Sequence, residues 1–305
     1  MTNLPSSLPA RPFGAILTAM VTPFTEDGAL DLPSAARLAA YLVDHGNNGL
    51  IISGTTGESP TTSDAEKIEL LRTVIEAVAG RAYVVAGVGT NNTAHSVHLA
   101  REAASVGASG LLVVAPYYSK PSQDGIVQHF LRVADATELP IIIYDIPGRT
   151  GVKIEPRTYQ RLAEHPQIIA VKDATGDVGR GFELMARTGL AWYCGDDKLN
   201  LAFLAQGAAG IISTVGHVAG EAWAAMSGAI DSGDLPRARA IMAHLLPVVD
   251  AMMGGGQGAA MAKAALQIQG LLPGRTTRLP VFPATEMEAG RMREAMEGAG
   301  LLARR

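Results

Sequence analysis

The chain has 305 residues, a net charge of −4 and 48% hydrophobic residues, so it has enough apolar material for one large core. The sequence has no basic cluster, which argues against a nucleic-acid groove or a membrane-surface patch. No apolar run approaches ~18 residues, and the polar, proline-rich start lacks a signal core, so we expect neither a membrane span nor a secreted protein. A single cysteine, Cys194, excludes an internal disulfide and favours a cytoplasmic location.

Eight short apolar runs alternate with amphipathic segments along the chain. Their hydrophobicity is continuous, which is typical of strands buried on both faces. The predicted strands are 14–20, 49–54, 83–88, 110–116, 140–145, 168–173, 191–196 and 210–214. The segments with helical periodicity are 33–45, 64–79, 93–106, 123–136, 156–164, 178–187, 198–206 and 218–231.

Eight strand–helix units in succession predict an α/β fold, a (β/α)₈ TIM barrel that occupies residues 1–231. An open, doubly wound sheet is the alternative, but no G-x-G-x-x-G follows the first strand and eight units favour closure. Residues 232–305 also have a helical pattern, and we expect a C-terminal helical extension packed on the barrel. The string GGGQG at 254–258 predicts a break between two of its helices.

Polar side chains follow most of the predicted strands. Because the active site of such a barrel lies at the C-terminal ends of its strands, these side chains are the first candidates for chemistry. The strings are GTTGES (54–59), PYYSKP (116–121), YDIPGRTG (144–151), KDATG (172–176), GDD (195–197) and STVGH (213–217). Together they supply a lysine, tyrosines, threonines and an arginine to one end of the barrel.

Lys172 ends the apolar run IIAVK and is one of only six lysines in the chain. The simplest interpretation is a lysine that reaches out to solvent and pairs with Asp173 or Asp196. The alternative is a nucleophile, because a lysine partly removed from water can supply a neutral amine that attacks a ketone and forms a Schiff base. Tyr144 lies near the end of the neighbouring strand, and we expect its hydroxyl near Lys172, where it can act as a general acid or base.

The turn GTTGES can direct backbone N–H groups at a carboxylate and place Thr55 in a proton relay, although such turns are common. Arg149 has the planar fork that binds a carboxylate through two hydrogen bonds, and a loop salt bridge is its alternative. His95 and His98 share a helix face, but no further ligands complete a metal site, so we expect no metal. The missing G-x-S-x-G argues against a serine hydrolase.

Five motifs, in order, resemble the dihydrodipicolinate synthase / N-acetylneuraminate lyase family from about residue 13 to the C-terminus. They are GTTGES, PYYSKPSQDGIVQHF, YDIPGRTG, VKDATGD, and GDD followed by GAAGIIS. The resemblance implies that Lys172 forms a Schiff base with pyruvate. It also implies a proton relay of Tyr144, Thr55 and Tyr118.

The resemblance assigns the substrate-binding groups as well. Thr56 and Thr55 would bind the carboxylate of pyruvate, and Gly195 and the carbonyl of Ile212 would line the site. Arg149 would bind the carboxylate of the second substrate, L-aspartate 4-semialdehyde. Condensation and ring closure then give the cyclic product on the lysine and diaminopimelate pathway. The family needs no organic cofactor or catalytic metal.

Two further expectations follow from the resemblance. The family implies a homotetramer built from two tight dimers, in which Tyr118 reaches the active site of the partner subunit. Lysine-inhibited members place histidines and a glutamate where this chain has Asp64, Lys67 and His95. Although Ser59, Asn91 and Tyr117 do match, we expect weak or absent inhibition by lysine.

Two alternatives stay open at this point. A pyruvate-dependent aldolase of a 2-keto-3-deoxy sugar acid would share the whole pyruvate half-site, but Arg149 favours an acidic aldehyde as partner. His217 departs from the family pattern, where an asparagine is more common nearby. A non-catalytic ketoacid sensor on a barrel scaffold is the second alternative, but a sensor has no need of the lysine nucleophile.

Overall fold

The computed structural model describes residues 10–255 and 257–302. Its centre is a closed barrel of eight parallel strands in sequence order, in which β1 pairs with both β2 and β8. The strands are β1 (Ile16–Ala19), β2 (Gly49–Ile52), β3 (Tyr83–Gly87), β4 (Gly110–Val114), β5 (Ile141–Asp145), β6 (Ile168–Asp173), β7 (Ala191–Cys194) and β8 (Gly210–Ser213). The predicted (β/α)₈ barrel is confirmed, and the open sheet is wrong.

Helices connect the strands and continue beyond β8. They are α1 (Leu32–Asp44), α2 (Asp64–Val78), α3 (Thr93–Ser105), α4 (Gln123–Ala134), α5 (Pro147–Thr150), α6 (Pro156–Ala163), α7 (Val178–Thr188), α8 (Asn200–Ala205), α9 (Gly216–Asp231), α10 (Leu235–Met253), α11 (Gly258–Ile268) and α12 (Glu286–Gly298). Two 3₁₀ turns lie at Ser59–Thr61 and Asp197–Leu199. The sequence did not predict α5, because four residues are too few to show a helical period.

The strands are apolar on both faces because each face meets a different core. Inside the barrel, Leu17, Ile51, Val85, Leu112 and Ile142 pack with one another, all at most 3% exposed. The outward-facing residues pack instead against the surrounding helices in a second, larger cluster. Continuous hydrophobicity therefore marks these strands more clearly than alternation would.

The C-terminal helices α10–α12 pack against one another, and α10 and α11 also pack on α9. Met252, Leu266 and Met292 are fully buried in the same cluster as the barrel helices. The predicted helix break lies between α10 and α11, and residue 256 within it is outside the described part of the chain. The division between residues 231 and 232 stays a prediction. Among the described residues, no helix is both long and apolar enough to cross a membrane.

Candidate active site

Lys172 and Tyr144 lie side by side at the C-terminal ends of β6 and β5. The strand register pairs the two residues directly, and they are 6% and 5% exposed. The Nζ atom of Lys172 lies 4.2 Å from the centre of the Tyr144 ring. Within residues 10–255 and 257–302, Nζ takes part in no hydrogen bond or salt bridge, so no carboxylate neutralises it.

The two aspartates considered as partners of Lys172 are engaged elsewhere. The carboxylate of Asp173 accepts the backbone N–H of Thr175 at 2.9 Å and the indole N–H of Trp192 at 3.0 Å. The carboxylate of Asp196 accepts the N–H of Lys198 at 3.1 Å and caps the 3₁₀ turn there. A surface ion pair therefore does not describe Lys172.

Gly195 follows β7 and lies against the side chain of Lys172. Its N–H donates to the carbonyl of Asp173 at 2.7 Å. A Cβ atom at this position would lie 3.0 Å from both Cγ and Cε of Lys172, so glycine leaves the space that the lysine stem occupies. Ile212 of β8 is 1% exposed and belongs to the inner cluster that also contains Tyr144.

A cavity of about 440 Å³ opens at the barrel mouth. Thr55, Tyr144 and Arg149 line it, and the side chains of Thr55 and Arg149 are exposed. The cavity continues towards α2 and α3, where Lys67 and His95 line its far end. Three of the predicted site residues thus share one space, and Tyr144 connects this space with Lys172.

Thr56 and Tyr118 are not brought to this space within one chain. Thr56 is 9% exposed and faces Thr214, with 3.3 Å between the two hydroxyl oxygens. Tyr118 is 89% exposed and has a φ of +72°, in the left-handed region. Its backbone N–H donates to the carbonyl of Thr150 at 3.2 Å, which fixes the loop but leaves the ring outside.

Buried polar groups hold the loop after β8. Asp197 accepts the N–H groups of Thr214 and Val215 at 2.9 and 3.0 Å, and burial raises its pKa although these bonds oppose the shift. The ring of His217 lies between the carbonyl of Thr214, 2.7 Å from Nδ1, and the N–H of Val21, 3.0 Å from Nε2. Burial lowers the pKa of His217 to about 4, so its ring is neutral at pH 7. The contacts of Asp197 thus anchor the loop after β8 to the segment after β7.

Two charged residues near the site, Glu58 and Lys263, are not among those that the sequence pattern indicated. Glu58 ends the GTTGE string, and its fully buried carboxylate lies 2.5 Å from Nζ of Lys263 in α11. A signal existed, because Lys263 stands in the apolar helix AAMAKAALQI, which offers the cation no polar face.

A metal site has no obvious donors here. Among the described residues, no three His, Cys, Asp or Glu side chains are grouped so that they could hold an ion. His95 instead lies 2.9 Å from the carboxylate of Asp64, and His98 lines a separate shallow pocket with Glu102.

The chain is similar to known proteins over almost its whole length. The Dihydrodipicolinate synthetase family profile matches residues 12–299. A 4-hydroxy-tetrahydrodipicolinate synthase of Kineococcus radiotolerans is 55% identical over 99% of this chain and 98% of its own length. A second relative, 4-hydroxy-tetrahydrodipicolinate synthase 2 of Streptomyces coelicolor, is 57% identical over 97% of this chain and 99% of its own length. A crystal structure of the Cyanidioschyzon merolae enzyme with lysine bound is 38% identical, with a TM-score of 0.93 over 96% of this chain and all of the other.

Proposed function

We propose that this chain performs the reaction of a 4-hydroxy-tetrahydrodipicolinate synthase through a Schiff base on Lys172. The chain belongs to the dihydrodipicolinate synthetase family and has the lyase activity of that enzyme. One observation carries the assignment of the nucleophile. Lys172 is 94% removed from solvent, has no carboxylate partner among the residues that the structure describes, and touches a tyrosine that lines the cavity. A lysine in this position, beside a tyrosine that can move protons, is suited to add to a ketone.

The first half of the reaction uses pyruvate. Its carboxylate binds at the turn of Thr55 and Thr56, and the Lys172 amine attacks its keto carbon. Loss of water forms the imine, and loss of a proton from the methyl group forms the enamine. Tyr144, Thr55 and Tyr118 relay these protons, and the shared cavity supports the first two because both line it.

The second half uses L-aspartate 4-semialdehyde. The enamine carbon attacks the aldehyde carbon, and the imine re-forms. The amino group of the second substrate then attacks the imine carbon, which closes the ring and releases the Lys172 amine. Arg149 is exposed at the cavity, so its guanidinium is available to bind the carboxylate of the semialdehyde in two parallel hydrogen bonds.

We also infer a tight dimer within a homotetramer in the cytoplasm. Tyr118 is 89% exposed although the proposed relay needs its hydroxyl, and its strained backbone holds the ring outward. A two-fold dimer would place this ring in the site of the partner subunit and exchange the two rings symmetrically. A stable, fully active monomer in light scattering would contradict this arrangement.

Weak inhibition by lysine is the regulatory part of the proposal. Lys67 at the far end of the cavity donates to the carbonyl of Thr62, and its Nζ lies 4.0 Å from Asp64. The carboxylate of Asp64 is also engaged by His95. A lysine ligand would therefore meet a cation and find its acidic partner occupied. Millimolar lysine should leave the rate nearly unchanged, and strong inhibition would contradict this expectation.

The experiment that tests the substrate pair is a coupled synthase assay with pyruvate and the semialdehyde, run beside turnover of 2-keto-3-deoxy sugar acids. We expect much faster turnover of the semialdehyde. Arg149→Met should lower kcat/KM for the semialdehyde and leave imine formation with pyruvate intact. Faster turnover of the sugar acids, or an Arg149→Met variant with normal semialdehyde kinetics, would favour the aldolase.

A further inference from the structure

A buried ion pair ties the threonine loop, residues 54–59, to the C-terminal extension. The side chains of Glu58 and Lys263 are 0% and 1% exposed, and Nζ lies 2.5 Å from Oε1. The other carboxylate oxygen accepts the backbone N–H of Arg278 at 2.8 Å. Both oxygens of Glu58 are therefore bound by residues more than 200 positions away in the sequence.

The charges around this pair are balanced and enclosed. Lys263 also donates to the carbonyl of Thr276 at 2.8 Å, and its Nζ lies 4.2 Å from the centre of the Phe24 ring. The guanidinium of Arg278 lies 4.3 Å from the same ring and donates to both oxygens of Glu66. Two cations and two carboxylates thus share one network, which compensates for their removal from water.

The backbone of the threonine loop depends on this network. Ser53, just before the loop, and Glu58, near its end, have φ values of +58° and +54°, a region that residues other than glycine keep only when surrounding contacts enforce it. The N–H of Glu58 donates to the carbonyl of Thr55 at 3.1 Å. A shift of Glu58 therefore moves Thr55 directly.

We propose that Glu58 and Lys263 are positioning residues that hold the threonine loop in its ketoacid-binding geometry, so that the C-terminal extension completes the active site. The inference rests on the proposed function, since it takes Thr55 and Thr56 as the carboxylate-binding residues. It assigns the extension an effect on pyruvate binding that is separate from the chemistry of Lys172.

The test uses the full chain with both charges removed, Glu58→Gln/Lys263→Met. Replacement of a buried pair as a unit is tolerated far better than loss of one partner. The measurement is the pyruvate concentration that gives half-maximal borohydride trapping on Lys172, together with KM for pyruvate and kcat. We expect the first two to rise on the order of tenfold, because a small displacement of a binding loop has effects of this size. The trapped fraction at saturating pyruvate should approach that of the wild type.

Arg275→Met is the matched control. Arg275 lies in the same extension and donates to the carbonyl of Ala284 at 2.8 Å and to Gln267 at 3.0 Å, so its contacts lie within the extension. We expect wild-type pyruvate saturation for this variant. If the double variant does not fold, Glu58→Gln alone, which keeps the shape and an acceptor, gives the same measurement.

The outcomes of these experiments separate this inference from the function on which it rests. If the wild type is trapped on Lys172 but the folded charge variants saturate at wild-type pyruvate concentrations, the positioning role is wrong and the proposed function stands. An equal rise in Arg275→Met would also overturn the positioning role, because any damage to the extension would then suffice. If the wild type shows no adduct on Lys172, the proposed function itself fails.

Discussion

Two of the buried lysines, Lys172 and Lys263, both lie against an aromatic ring, but among the described residues only Lys263 pairs with a carboxylate. Lys172 and Lys263 are 6% and 1% exposed, and each Nζ lies 4.2 Å from the centre of an aromatic ring. Lys263 has a carboxylate at 2.5 Å, whereas the Nζ of Lys172 has no salt bridge to any described residue. Burial alone therefore does not mark a nucleophile. The absence of a charge partner, next to a cavity that a substrate can enter, is what distinguishes Lys172.

The largest expected difference between the two lysines is in catalysis. Lys172→Met should lower synthase activity by on the order of 10⁴-fold or more, as removal of a covalent nucleophile does in other enzymes. The free energy of unfolding should stay level or rise, because no ion pair is lost. The coupled assay and urea unfolding of the same sample measure both quantities. A variant with normal turnover would remove Lys172 from the mechanism.

The largest expected effect on stability is at the other lysine. Lys263→Met leaves the carboxylate of Glu58 buried and unpaired, which should lower the free energy of unfolding by about 3–5 kcal/mol. The double variant Glu58→Gln/Lys263→Met should recover most of that loss. If Lys263→Met is as stable as Lys172→Met, the contrast between a paired and an unpaired lysine is wrong.

Another buried base, His217, can be compared with the two lysines through the pH dependence of the free energy of unfolding. Its folded-state pKa is about 4, below the ordinary value of 6.5, so the unfolded chain binds the proton first as the pH falls. The stability that the neutral ring contributes is present above pH 6.5 and is lost between about 6.5 and 4, by about 3 kcal/mol. The free energy of unfolding of His217→Gln, measured with urea, should therefore fall less steeply than that of the wild type as the pH is lowered from about 6.5 to 4.

The experiment compares the free energies of unfolding of the wild type and of His217→Gln at each pH. Burial also lowers the pKa of His129 to about 4, and it raises the pKa of Asp145 to about 6, which shifts stability in the opposite sense. Both groups are present in both proteins, so their effects cancel in the difference. If the free energies of unfolding of the two proteins fall equally as the pH is lowered, His217 does not titrate in this way.

The smallest expected effect concerns the space beside Lys172. Gly195→Ala places a Cβ atom 3.0 Å from the lysine stem, so the side chain must move aside. We expect imine formation with pyruvate to slow by about tenfold, in line with small displacements of reacting groups. Gly290→Ala is the control, because a Cβ atom there meets nothing within 4 Å. Equal rates in the two variants would show that Lys172 tolerates the added methyl group.

The fold and the lysine–tyrosine pair could be predicted from the sequence because they depend on local pattern. Eight apolar runs in succession give eight parallel strands, and consecutive strands are neighbours in a barrel. Lys172 and Tyr144 each lie near the end of such a run, so their contact follows from the strand order. The strand limits differ from the predicted ones by up to two residues at each end, because the sequence pattern does not show where the hydrogen-bonded pairing of a strand stops.

The rest could not be predicted, because it depends on contacts between distant parts of the chain. Glu58 and Lys263 are 205 positions apart, and no local pattern pairs them. Ser53 and Glu58 occupy a backbone region where glycine is expected, so the shape of their loop is set by its surroundings. In the proposed dimer, the place of Tyr118 would depend on a second subunit, which the sequence of one chain does not contain.

The most direct test of the central claim is borohydride reduction of the enzyme with pyruvate, followed by mass mapping of the modified peptide. A lowered pKa alone would favour Lys263, since burial brings the pKa of that lysine to about 8. The structure instead predicts a reduced pyruvyl adduct on Lys172, because Lys263 is enclosed by Glu58 and Phe24, away from the cavity. An adduct on Lys263, or none at all, would contradict the assignment of Lys172 as the nucleophile.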